Sequence, residues 1–134
     1  MTHARVLLVD DEVALAQALA RRLSIRKYRA TAVFNAEDAL DAVGLDAPDV
    51  MVIDLHLPGM LGIDLVRAVK QLDPTIAMIL LSGCGSPDAE RWIGNGDILD
   101  FVMKPIEIEE LVQKIDRAKK EHDARLKMKE SGHG

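Results

Sequence analysis

The sequence predicts an α/β domain built on a doubly wound parallel sheet, and three features carry that reading. Short apolar runs alternate with segments of helical periodicity five times along the chain, the pattern of repeated βα units. Three of the runs, Val6–Val9, Val50–Ile53 and Ile76–Leu81, are continuously apolar, as strands are when helices cover both faces of a sheet. Acidic residues then close two of them, Asp10-Asp11 after Val9 and Asp54 after Ile53. In a parallel sheet these run ends share one edge, the edge at which such folds bind ligands.

The elements follow in order. After Asp11, the residues Val13, Leu15, Ala16, Leu19, Ala20 and Leu23 recur at helical spacing, with Gln17, Arg21 and Arg22 on the other face. Ala30–Phe34 is a weaker strand. Asn35, with Asp38 three residues later, is placed to cap a second helix through Ala39, Leu40 and Val43, and Gly44 is expected to stop it. Val50–Ile53 is the central strand, and residues 55–62 read as a loop. That loop leads into a third helix carrying Ile63, Leu65, Val66 and Val69, which ends before Asp73-Pro74. Beyond the fourth strand, Ile76–Leu81, the segment Ser86-Pro87-Asp88 has the form of a helix start, with Trp92 placed to pack on the sheet and Gly94-Asn95-Gly96 as the break. Phe101–Met103 is the fifth strand. Glu107, Glu109 and Glu110 open a fifth helix, with Ile108, Leu111, Val112, Ile115 and Ala118 as its apolar stripe. We divide the chain into a domain at 1–120 and a charged helical extension at 121–134. The extension is read as solvated, with two roles open to it: a linker to an output domain outside this sequence, or a weak dimer contact.

Composition narrows the function. The 134 residues suit one domain with an aliphatic core, since 49% are hydrophobic and only 3% aromatic. A formal net charge of −5 argues against a nucleic-acid surface on this segment. The lone Cys84 cannot form an internal disulfide, and no apolar run is long enough to span a membrane, so a cytoplasmic location is expected.

Carboxylates brought together at one sheet edge repel each other unless they hold protons or a cation. Mg²⁺ fits best, because it takes oxygen ligands, accepts one or two carboxylates and is commonly completed by a phosphate oxygen. Ser82 and Lys104 stand at the ends of the fourth and fifth strands and offer donors to an anion. Carboxylates, a hydroxyl and an ammonium together suit phosphoryl transfer, with Asp54 as the nucleophile that forms an aspartyl phosphate.

In this arrangement, over residues 4–120, the chain resembles the receiver domain of two-component response regulators, of the chemotaxis-regulator type. The motif joins the acidic pair, an aspartate followed by Pro58-Gly59, Ser82, and Lys104-Pro105, in the family's order. The resemblance implies a flavodoxin-like (βα)₅ fold with strand order 2-1-3-4-5. It implies Asp54 as phosphoacceptor, and Asp10, Asp11, Asp54 and the His56 backbone carbonyl as ligands to Mg²⁺, with Mn²⁺ as a substitute. Lys104 would bind a phosphoryl oxygen, and the bond before Pro105 would be cis. Ser82 and Phe101 would form the switch: the hydroxyl moves to the phosphoryl group and the aromatic ring turns into the space it leaves, repacking the face of the fourth helix, fifth strand and fifth helix. The partner implied is a sensor histidine kinase or a phosphotransfer protein. The protein would catalyse only its own phosphorylation and dephosphorylation.

Phe101 departs from the family's commoner Tyr, Leu61 replaces its usual loop Asp or Asn, and Asp97-Ile98 replaces Gly-Ala. His56 and Cys84 occupy positions that line the mouth of the site in related domains, and His56 is the candidate for controlling water access. Two rivals stand beside the switch. An aspartate-nucleophile phosphatase of the haloacid-dehalogenase type would carry Asp-x-Asp after the first strand, where this chain has adjacent aspartates. Loss of site residues would favour a phosphorylation-independent interaction module, and none is lost. No Gly-rich phosphate loop follows the first strand, so nucleotide binding finds no support.

Overall fold

The computed structural model describes residues 4–83 and 97–131. Cys84, the helix start at Ser86, Trp92 and the Gly94-Asn95-Gly96 break lie outside them. The chain runs β1 (Arg5–Val9), α1 (Val13–Ile25), β2 (Arg29–Val33), α2 (Ala36–Leu45), β3 (Val50–Asp54), β4 (His56–Leu57), β5 (Met60–Leu61), α3 (Gly62–Leu72), β6 (Ala77–Ser82), β7 (Asp100–Met103) and a last helix, α4 (Ile108–Ser131). Five strands form one parallel sheet in the order β2-β1-β3-β6-β7, which is the expected 2-1-3-4-5 once the small β4-β5 hairpin is set aside.

The strands read as unbroken apolar runs because their two faces feed two cores. Leu7, Val9, Met51, Ile53, Met78 and Leu80 pack with Ala39, Val43, Leu65, Val66 and Val69 of α2 and α3. Val6, Leu8, Val50, Val52, Ile79 and Leu81 pack with Leu19 and Leu23 of α1 and Leu111, Ile115 and Ala118 of α4. Alternation along each strand assigns one set of side chains to each layer.

Local chemistry sets the helix ends. Asn35 caps α2, its Oδ1 accepting from the Asp38 amide at 2.7 Å. Gly44 does not stop α2 as expected, because the helix continues to Leu45 and the Asp46 amide still reaches Ala42 O. α1 ends in a reversal whose left-handed residue is Lys27, at φ 74°. The Tyr28 amide donates to Leu23 O and the Lys27 amide to Ser24 O, the pairing of a Schellman turn in which glycine usually occupies that position. The expected loop at 55–62 contains a short antiparallel hairpin, with Gly59 at φ 76° in its turn. Val13, counted on the apolar face of α1, is exposed, and Ala16, Leu19 and Leu23 make the buried contact.

Helix α4 runs without a break across residue 120. Among its described residues, the extension expected to be solvated carries one that is buried, His122.

Candidate phosphoryl-transfer site

Parallel register delivers the site. β1 pairs with β3 so that Val9 lies opposite Ile53, and the residues following each, Asp10 and Asp54, emerge side by side at the C-terminal edge. The Asp10 amide is held by Val33 O and the Leu55 amide by Leu81 O, which fixes the backbone on either side of the carboxylates. Carboxylate oxygens of Asp10, Asp11 and Asp54 all lie within 4.8 Å of one another, Asp10 and Asp54 buried and Asp11 exposed. Lys104 enters from the end of β7, its amide donating to Ser82 O at 2.9 Å. Its Nζ lies 3.0 Å from Asp10 Oδ2 and 3.4 Å from Asp54 Oδ2.

Each carboxylate is already partly engaged. Asp10 Oδ1 accepts from the Glu12 amide at 2.9 Å, and Asp54 Oδ1 from the His56 amide at 3.1 Å. Asp10 Oδ2 is buried and receives no hydrogen bond among the described residues. The Lys104 ammonium beside it supplies charge without hydrogen-bond geometry. A buried carboxylate oxygen left in this state is costly, and a hard cation satisfies it. The donor set therefore fits Mg²⁺: two buried carboxylates, one exposed carboxylate and no sulfur or imidazole among them.

The electrostatics agree. Burial pushes the Asp54 carboxyl up, the nearby Asp10 charge adds to this, and the His56 amide and Lys104 oppose it. Burial alone would lower Lys104, but the hydrogen bond to Glu12 and the negative charges of Asp10 and Asp54 raise it above the usual lysine range. Lys104 is thus a permanent cation. Its closest partner is Glu12, at 2.9 Å, a residue the sequence reading left out. The available signal was an acid directly after the acidic pair.

The remaining expected residues lie around this cluster. Ser82 is buried at the end of β6, its hydroxyl donating to Gly83 O at 3.2 Å. Phe101 is half-buried and packs against the core layer of α2 and α3. Lys114 Nζ lies 5.5 Å above the Phe101 ring and donates to its carbonyl at 2.6 Å, tying β7 to α4. The His56 side chain is exposed in β4. The Lys104-Pro105 peptide is cis.

Comparison with known proteins places this geometry in a group. A family model described as the response regulator receiver domain matches residues 6–116. The chain is 34% identical over 114 residues to the C4-dicarboxylate transport transcriptional regulatory protein DctD of Rhizobium meliloti, covering 84% of this chain and 25% of that protein. It is 31% identical over 111 residues to the DNA-binding transcriptional regulator NtrC of Klebsiella pneumoniae, covering 83% and 24%. It therefore spans about a quarter of the length of these relatives. Among solved structures, NtrX from Brucella abortus in complex with ATP superposes with a TM-score of 0.87 at 27% identity, over 96% of this chain and 29% of that one. The receiver domain of the Francisella response regulator 1452 superposes with a TM-score of 0.79 at 25% identity, over 88% and 98%.

Proposed function

The chain belongs to the response regulator receiver family, and from that premise we propose that it is a switch set by phosphorylation of Asp54. The observation that carries the proposal is the meeting of Asp10, Asp11 and Asp54 within 4.8 Å, with Lys104 at 3.0 and 3.4 Å from the two buried carboxylates. The donor is a phosphohistidine on a sensor kinase or phosphotransfer protein. An Asp54 carboxylate oxygen attacks phosphorus, the P–N bond breaks as the O–P bond forms, and the imidazole leaves with a proton.

Asp10, Asp11, Asp54 and the His56 carbonyl would hold Mg²⁺, or Mn²⁺ in its place, which when bound neutralises charge on the phosphoryl oxygens. The protein's own groups do the rest. The His56 amide orients Asp54 through Oδ1, leaving Oδ2 beside Lys104. Lys104 exchanges its carboxylate contacts for a phosphoryl oxygen, a charge-assisted contact that holds the modified state. Among the described residues, the Ser82 hydroxyl has one contact, to Gly83 O, to give up before turning to the phosphoryl group. Phe101 would follow it, loosening the ring from Lys114 and altering the face formed by β7 and α4.

The output served by the switch is proposed by analogy with the relatives, whose names describe transcriptional regulators. On this reading residues 1–120 are the receiver, and residues 121–134 lead towards an output module or a second copy. No described helix is long and apolar enough to cross a membrane. A phosphatase reading gains nothing from the site, because the lone acid follows β3.

Incubation with acetyl phosphate, with and without Mg²⁺, tests the proposal by intact mass. One phosphoryl adduct that needs Mg²⁺ and disappears in Asp54→Asn is the expected result. No adduct, or an undiminished adduct in Asp54→Asn, overturns it, and no adduct leaves a constitutive interaction module as the better account.

A further inference from the structure

At the opposite edge of the sheet, the N-terminal ends of the strands, a second charged cluster joins α4 to the domain. His122 is buried on α4, with its Nδ1 2.8 Å from Thr75 O and its Nε2 3.2 Å from Asp49 Oδ1. Both partners are acceptors only. A neutral imidazole carries one N–H and cannot satisfy both, whereas an imidazolium donates to each. The two acceptors are fixed from elsewhere. Asp49 Oδ2 accepts from the Arg5 amide at 3.0 Å, and Thr75 is held by Asp73 Oδ1 at its amide, 3.0 Å, and its hydroxyl, 2.6 Å.

We propose that His122 is a proton-operated latch: its imidazolium clamps the distal turns of α4 to the base of the sheet, and its neutral form releases them. The clamp lies far from the carboxylate cluster and needs no phosphorylation.

The surroundings must favour the charge for this to hold. From the segment before β3, Asp49 faces the ring directly. Lys119 of α4 and Arg5 of β1 approach that carboxylate at 3.5 and 3.8 Å, and each also pairs with a second acid, Asp123 and Asp46. From α3, Lys70 donates to Ile76 O at 2.9 Å, and Arg125 of α4 lies 3.4 Å from the same carbonyl. Asp97, Asp73 and Glu121 favour the charged form of Lys70. Lys70 is pushed down to about 8, by burial first and Arg125 second, and at the ring itself Lys119 is the cation that opposes the charge. The hydrogen bond to Asp49 raises His122 above the ordinary histidine value, with burial opposing and the Thr75 carbonyl assisting. Burial would raise Asp49, but the bond from His122 and the Arg5 amide outweigh it and hold it ionised.

The sign follows from linkage. A histidine raised on docking contributes fully below its undocked value, roughly 6.5, and the contribution is lost as pH rises through the docked value. Each unit of elevation corresponds to about a tenfold change in the docking equilibrium.

The test titrates the His122 ring by NMR in the whole chain and follows amide hydrogen exchange along α4 across the same pH range. Residues 111–118 serve as the internal reference for base-catalysed exchange. The expected midpoint lies above 6.5, and protection of residues 122–131 relative to the reference falls about tenfold per unit of elevation as that midpoint is passed. In His122→Gln the step disappears, and in Asp49→Asn the midpoint drops. A wild-type midpoint at or below 6.5, or relative protection that ignores the midpoint, overturns the latch whatever the variants do.

Discussion

Replacing Gly62 by Ala tests how the site is held. Gly62 opens α3 directly after the β4-β5 hairpin, and its amide donates to Leu55 O at 2.8 Å. A Cβ there would stand 2.4 Å from Asp54 O, 3.0 Å from Leu55 Cα and 3.1 Å from Asp54 C. These are backbone atoms of the candidate nucleophile and its neighbour, so no flexible side chain can yield. Reaching 3.4 Å, where ordinary contact begins, needs the two backbones to part by about 1 Å. Overpacking of this kind costs about 1–3 kcal/mol. For a domain of this size that lowers Tm by about 4–12 °C. The displaced segment also carries the His56 amide that orients Asp54 Oδ1. A misplacement near 1 Å at a reacting group costs on the order of 100-fold in rate. Gly62→Ala should therefore lose stability by differential scanning calorimetry and accept phosphate from acetyl phosphate far more slowly. The control is Gly44→Ala, helical and with nothing within 4 Å of the added carbon, which should gain roughly 0.5–1 kcal/mol. Wild-type Tm and labelling rate in Gly62→Ala would refute the reasoning.

Three further outcomes are expected. Magnesium chloride should raise the Tm of the unphosphorylated protein, by about 2.7 kcal/mol of stability at a hundred times its Kd, and the gain should shrink sharply in Asp10→Asn; equal gains in both proteins would place the cation elsewhere. Lys104→Met removes the cation between Asp10 and Asp54, so the metal-free protein should melt lower while Mg²⁺ binds roughly thirtyfold tighter by calorimetry, since a unit charge about 4 Å from a divalent ion costs about 2 kcal/mol in water. Lys27→Gly should stabilise the fold by about 0.5–1 kcal/mol in urea denaturation, because the residue's φ of 74° is costly for any side chain; unchanged stability would mean that Lys27 is already compensated.

The architecture was legible because the apolar runs at Val6–Val9, Val50–Ile53 and Ile76–Leu81 are long, continuous and followed by polar residues that only a shared sheet edge brings together. Asn35 was legible for the same kind of reason, since capping is local. Gly44 misled because a glycine near a helix end is read as its stop, and here it lies within the last turn with free space around it. The hairpin was missed because two strands of two residues leave no periodicity to detect. Lys104 was recognisable as the cation of the site, but Glu12 as its nearest partner was not: an exposed acid at the start of a helix looks like any first-turn charge until β7 brings the ammonium to it.

The two edges of the sheet divide the electrostatic work in a way no single motif reports. Among the described residues, four carboxylates at the C-terminal edge, those of Asp10, Asp11, Glu12 and Asp54, stand around one ammonium, and one buried oxygen is left without a hydrogen bond. At the N-terminal edge a single buried carboxylate, Asp49, receives Arg5, Lys119 and His122 together. The first arrangement is short of positive charge and gains from binding it. The second is saturated and gains from staying closed. A domain whose strands are pinned at one end can leave the other end poorly neutralised without losing its register, because the same hydrogen-bonded strands carry both. Asp49 and His122 were invisible in the sequence for that reason: each belongs to the closed end, where partners come from separate elements and no ligand chemistry marks them.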